Sequence, residues 1–259
     1  MSESGTTTGA QAVHRAIDIL ESFRADRASL SLAEIAEHVD LTTPTTHRLL
    51  KALQVQDLVA LDPVTRRYSL GTGIMRMASV LLNRGDVLAV TQPRLLRLRE
   101  LTGETVSLHW RVDAHRVCLI EAVSTQQFRM ASGLGNSYPL VAGAAGLAIL
   151  AFLGETDVDG VIEAEREASR AVDPGVLSRS LETVRERGYA TSVGETVPGA
   201  AAIAAPILDA SGRALAALNI TGPRSRLTSA EMDGLAEVLL DTTREIMQQF
   251  GAGAAPLPA

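Results

Sequence analysis

Two helix-start signals stand close together early in the chain, and they constrain what this stretch can fold into. Ser31-Leu32-Ala33-Glu34 is a capping box, in which the serine and glutamate side chains each take an otherwise unpaired amide of the first turn. It opens a short helix with Leu32, Ile35, Ala36 and Val39 turned inward. After Asp40-Leu41-Thr42, Thr43 reads as the cap of a second helix and Pro44 as part of its first turn, where a missing N–H costs nothing. That helix runs to about Gln54 and buries Thr46, Leu49, Leu50 and Leu53, the i, i+3, i+4, i+7 stripe of an amphipathic helix. A longer helix with an apolar face of Val13, Ile17, Leu20 and Phe23 precedes the pair. Together they read as a helix-turn-helix.

Leu58–Leu61 and Tyr68–Leu70 then read as short strands around a turn, Asp62-Pro63-Val64-Thr65-Arg66-Arg67, with a basic tip. This arrangement looks like the wing of a winged helix. With 46, 49, 50 and 53 buried, the opposite face of the second helix carries Thr45, His47, Arg48 and Lys51, with Thr43 at its start. Such a face enters a DNA major groove, where arginine pairs bidentately with guanine and threonine meets a thymine methyl or a phosphate. Arg66 and Arg67 suit phosphate or minor-groove contact, as does Arg15 on the first helix. The competing reading is a solvated face on an ordinary helical domain.

Overall charge argues against DNA: 24 Lys+Arg stand against 30 Asp+Glu, a net charge of −6. The charge is unevenly spread. Residues 1–85 are neutral overall, and the acidic surplus belongs to residues 86–259. A neutral DNA-binding half must take its affinity from a few placed arginines. No stretch approaches the ~18 apolar residues of a membrane span, and the start lacks a signal-peptide pattern, so a cytoplasmic protein is expected. The lone cysteine, Cys118, lies in an apolar strand and reads as a buried inert thiol.

Organisation is expected as a loose arm at 1–10, a DNA-binding domain at 11–72, a linker helix at 73–85 that doubles as a dimer seam through Met75, Met77 and Leu81, a second domain at 86–250, and a disordered tail at 251–259. In the second domain, helices are expected at 86–102 (kinked at Pro93 or starting late), 142–153, 157–169 and 174–188, and a last one after the cap at Thr228. Strands are expected near 104–112, 116–123, 127–132, 202–209 and 214–221. Helices mixed with antiparallel strands make an α+β sensory-type domain. His109 and Trp110 face opposite sides of one strand, so one of them lines a pocket or both serve packing. Glu121 is expected at an exposed or edge position. No Gly-x-Ser-x-Gly, His-Glu-x-x-His, Cys-x-x-Cys or Walker sequence occurs, which leaves a small-molecule hydrolase as the weaker alternative and implies no catalytic residues, metal site or cofactor.

The segment from Gln11 to Gly71 resembles the N-terminal domain of the IclR family of bacterial transcription regulators. The resemblance is carried by Arg15-Ala16-Ile17-Asp18-Ile19-Leu20, Ser31–Ala36, His47-Arg48-Leu49-Leu50 and Arg67–Gly71. It continues through Thr102–Val106, Arg187-Gly188-Tyr189, Ile203–Pro206, Asp209 with Gly212, and Gly222-Pro223 with Arg226-Leu227. It implies an α+β chain: a winged helix-turn-helix joined by a helix to a GAF-like α/β effector-binding domain. It also implies a homodimer or tetramer on a double-stranded, pseudo-palindromic operator, a repressor more often than an activator, and a small organic acid as effector. The lysine usual at position 43 is threonine here, and the usual valine is Thr46.

In family members that bind small oxo-acids, the backbone amides of a Gly-Ala-Gly stretch hold the carboxylate. The resemblance carries that role to Ala144-Ala145-Gly146. The Asp, Cys and two Ser that complete such a site fall on Ser192, Ala202, Asn219 and Thr221, so none is kept, and the flanking His and Lys are Val141 and Leu147. The amide seat survives while the side-chain set changes, and the expected effector is a larger, partly apolar acid such as an aromatic acid or catabolite.

Overall fold

The computed structural model describes residues 4–24, 27–82 and 87–251. The chain divides into two compact units, Met1–Leu81 and Leu82–Ala259.

The first unit runs α1 (Ser4–Glu21), β1 (Ser29–Leu30), α2 (Leu32–His38), α3 (Thr43–Val55), β2 (Val59–Leu61), β3 (Tyr68–Leu70) and α4 (Thr72–Leu82). The three strands form one antiparallel sheet in the order β1-β3-β2. Ile19, Phe23, Ile35, Leu50, Leu53 and Tyr68 close a common core beneath them. The capping box forms in full: Glu34 N–H donates to Ser31 Oγ at 3.3 Å and Ser31 N–H to Glu34 Oε2 at 2.7 Å. Two expectations need correction. Thr42, not Thr43, caps α3, because its extended backbone presents the carbonyl that receives Thr46 N–H at 3.0 Å. Residues 4–10 of the expected arm belong to α1, since extending a packed helix adds a bond for each residue fixed. Residues 1–3, the 83–86 junction and the expected tail from 252 onward lie outside the described residues.

The second unit holds α5 (Val87–Thr102), β4 (Thr105–Val112), β5 (His115–Ala122), β6 (Ser137–Pro139), α6 (Gly143–Leu150), α7 (Glu155–Glu167), α8 (Pro174–Arg187), β7 (Ala190–Val193), β8 (Ala200–Leu208), β9 (Ala214–Pro223) and α9 (Ser229–Gly251). Its six strands form an antiparallel sheet, β6-β5-β4-β9-β8-β7. One face packs Val106, Leu108, Trp110, Ile203 and Leu218 against Leu95 and Leu98 of α5 and Met232 and Leu239 of α9. The other face meets α6 and α8, with Ala204 and Ala217 against Ala148, Ile149 and Leu181. Both faces of the sheet are therefore covered by helices.

The strand expected at 127–132 is a loop. Side chains claim its backbone before a ladder can: Thr105 Oγ1 donates to Met130 O at 2.5 Å, and Glu121 accepts the amides of Ser132 at 2.5 Å and Gly133 at 3.2 Å. Glu121 is thus a loop anchor. The edge pairing of β5 goes instead to β6, and β7 is a further strand absent from the sequence reading. Helix α5 runs through Pro93 without a break.

Candidate functional site

On α3, His47, Arg48 and Lys51 are exposed and make no bond to any described residue. Thr43 is exposed at the start of the helix, and half-buried Thr45 shares a 3.0 Å hydroxyl contact with Thr42. Arg15 is half-buried on α1. The two wing arginines part company. Arg66 is exposed, with φ 58° at the tip of a turn whose amides are gathered by Asp62. Arg67 folds back: it donates to Ser29 O at 2.9 Å and to Ser29 Oγ at 3.3 Å, and pairs with Glu34 Oε2 at 3.0 Å. Its guanidinium is thus engaged with Glu34 and Ser29 at the surface of the domain, where that of Arg66 is free.

The second unit has a cavity between the sheet and the start of α6. Polar residues take every second position of β4 and the pair Asn219 and Thr221 of β9, so Ser107 and His109, then Asn219 and Thr221, share the face opposite the α5/α9 core. Trp110 packs in that core and His109 lines the cavity. Asn219 Nδ2 donates to Thr221 Oγ1 at 2.6 Å and to Ser107 Oγ at 3.4 Å, and Ser107 Oγ lies 3.0 Å from His109 Nε2. Arg116 Nη1 donates to His109 Nδ1 at 3.2 Å. A guanidinium only donates, so Nδ1 is bare and the His109 proton sits on Nε2, toward Ser107. Burial, then the Arg116 charge, hold the His109 pKa well below its usual value, and the ring is neutral.

Arg116 is the decisive residue and was missed by sequence reasoning. It is 4% exposed, its Nη2 donates to Ala142 O at 3.2 Å, and its carbon centre lies 4.8 Å from the Tyr138 ring centroid. Its Nε has no partner, and it forms no ion pair with any described residue. Burial lowers its pKa to about 10, so it remains a cation at neutral pH. Buried charges are ordinarily paired. A cation without a counter-ion, facing a cavity beside a helix start, is built for an anion. The legible signal was a charged residue inside a strand whose neighbours alternate with apolar ones.

Six of the seven residues assigned to an effector site meet here: Ala144, Ala145, Ser192, Ala202, Asn219 and Thr221. Helix α6 has no side-chain cap on Ala142, so its first amides turn elsewhere: Gly143 N–H donates to Glu195 Oε2 at 2.9 Å and Ala144 N–H to Ser192 Oγ at 3.0 Å. Gly143 has φ +74°, and a Cβ there would sit 3.1 Å from Arg116 Nη2, so glycine lets the cation approach the amides. Gly146 is the exception to the assignment. It does not line the cavity; a Cβ there would lie 2.4 Å from Leu140 O, so its role is close packing. Val141 and Leu147 are half-buried against the second core. Cys118 is buried, and burial followed by the Glu121 charge pushes its thiol up to about 12. Among the described residues there is no cluster of His, Cys, Asp or Glu suited to a metal, and no helix is long and apolar enough to cross a membrane.

A winged helix with a free basic face, followed by a unit with an anion-seeking cavity, defines a ligand-sensing DNA-binding regulator. Comparison with known proteins agrees. Residues 12–63 match the IclR helix-turn-helix domain, and residues 79–248 match the C-terminal domain of bacterial transcriptional regulators of the IclR type. The chain belongs to the IclR family. It is 35% identical to the HTH-type transcriptional repressor AllR of Escherichia coli K12 over 96% of this chain and 93% of that one. An IclR-type regulator from Alicyclobacillus acidocaldarius superposes with a TM-score of 0.80 at 26% identity, covering 92% and 98% of the two chains. An IclR homologue from Microbacterium hydrocarbonoxydans, solved in complex with 4-hydroxybenzoate, gives 0.79 at 22% identity, covering 93% and 99%. The relatives are named as transcriptional regulators, not as enzymes.

Proposed function

We propose that this protein is a transcriptional repressor whose hold on its operator is switched by an organic carboxylate bound between Arg116 and the start of α6. The unpaired, buried Arg116 carries this reading. A carboxylate there gives the cation its counter-ion and takes charge-assisted bonds from backbone amides at the positive end of a helix. Its hydrocarbon end meets Met130, Ala131, Val197 and Ala202. That apolar wall, together with the loss of the Asp, Cys and Ser set, supports an aromatic acid. One observation favours a smaller oxo-acid: the cavity is small, about 60 Å³. Titration calorimetry with benzoate, 4-hydroxybenzoate and phenylacetate against glyoxylate and pyruvate tests both. Tight binding of the last two alone removes the aromatic reading, and binding of none removes the carboxylate reading.

The protein works as a homodimer or tetramer, with Met75 and Met77 of α4 and Val13 and Ile17 of α1 as the exposed apolar residues that support self-association. Two recognition helices then enter successive major grooves of a pseudo-palindromic site. Effector binding shifts DNA affinity by its differential affinity for two arrangements of the winged helices, about 1–3 kcal/mol. A gel shift on the DNA upstream of its own gene, with and without acid, and a deletion strain scored for rising transcription, test operator and sign. Falling transcription in the deletion would make it an activator.

A further inference from the structure

The anion seat at α6 is already taken by a carboxylate of the chain itself. Gly143 N–H donates to Glu195 Oε2 at 2.9 Å. Glu195 comes from the exposed turn Gly194–Gly199 between β7 and β8, whose Thr196 and Val197 also border the cavity. The turn begins at Gly194, with φ +72°, and ends at Gly199, with φ +80°, both with open space around them, so it can pivot at its ends without a clash. Glu195 fills the seat incompletely. It takes the Gly143 amide yet forms no ion pair with Arg116, whose Nε has no partner. An acid small enough to enter engages the Gly143 amide and the guanidinium together, and so outcompetes it.

We propose that Glu195 is a tethered stand-in for the effector's carboxylate: it occupies the seat in the ligand-free protein, and the effector must displace it, releasing the 194–199 turn. This rests on the carboxylate-effector reading above. Glu195 thereby sets the effector threshold. It also couples occupancy to a surface change, since the turn that covers the cavity is seated by its own acid only when the effector is away. A larger acid gains room from the same movement.

The test is calorimetric titration of benzoate and of glyoxylate into full-length wild type, Glu195→Ala and Glu195→Asp. Aspartate keeps the charge but is one methylene too short to reach the Gly143 amide. If the seated state holds about 90–99% of molecules, its loss tightens probe binding by roughly ten- to a hundred-fold, and both variants should show this. A gain in Glu195→Ala alone would mean that only a repulsive charge was removed, and equal or weaker binding in both would mean that Glu195 does not compete. Either result overturns the inference while leaving the carboxylate site standing. Binding of neither probe to any of the three proteins overturns both.

Discussion

The two adjacent wing arginines should have opposite signatures in salt. Arg66 is exposed and unpaired, so each one that meets a phosphate releases a counter-ion. Arg67 already faces Glu34 at 3.0 Å and is bonded to Ser29, so a phosphate must compete with Glu34 for it. Non-specific binding to any duplex reports this without knowledge of the operator, because log K falls with log salt by about 0.9 for each phosphate neutralised. Arg66→Ala should reduce that slope by about 0.9 per winged helix. Arg67→Ala should leave the slope unchanged while lowering the thermal midpoint, since it cuts the tie from β3 to β1 and α2. Glu34→Gln retains an acceptor for the capping box but frees Arg67, and should steepen the slope by up to about 0.9. Fluorescence anisotropy on a random-sequence duplex, between about 50 and 200 mM salt, measures all three. An unchanged slope in Arg66→Ala, or an equal flattening in Arg67→Ala, would refute the division of roles.

Arg48→Ala should cost about 1–3 kcal/mol of operator binding and relax specificity at one base position; an unchanged footprint and affinity would count against the assigned face of α3. Gly146→Ala forces a Cβ to 2.4 Å from Leu140 O and should cost about 1–3 kcal/mol in urea unfolding, with weaker carboxylate binding as the α6 amides shift; full stability would contradict the packing role. His109 has a folded pKa below its unfolded one, so above about pH 6.5 both states are neutral and no penalty exists. As pH falls below that value the unfolded state gains the proton first, and stability should drop by up to about 1.4 kcal/mol per pH unit. Urea midpoints from pH 7.5 to 5.5 in wild type and His109→Gln check this; an identical pH dependence in the two proteins would refute it.

How legible all this was in the sequence depended on the range of the interaction. The capping box at Ser31, the buried stripe of α3 and the exposed His47, Arg48 and Lys51 are local matters, governed by the 3.6-residue period and by neighbours within one turn. Ala144, Ala145, Ser192, Ala202, Asn219 and Thr221, which the resemblance had singled out, line one cavity, although composition alone gives them no chemistry. The same local rules misjudged Thr43 as the cap of α3 and 127–132 as a strand, where the deciding partners lay in the carbonyl of Thr42 and in Thr105 and Glu121.

By itself the sequence determined the three-helix unit with its wing, the mixed second domain, and the division of an acidic chain into a neutral DNA-binding half and an acidic sensing half. Only the tertiary structure decided which charges are free. Arg66 and Arg67 are the same residue type at neighbouring positions, yet Ser29 and Glu34, far along the chain, capture one and leave the other. Arg116 looked like any arginine in a strand until β5, β6 and α6 closed around it without giving it an ion pair to any described residue. A charge's cost and its use depend on what surrounds it within a few ångströms, and pairing strands from distant parts of the chain is what sets those surroundings.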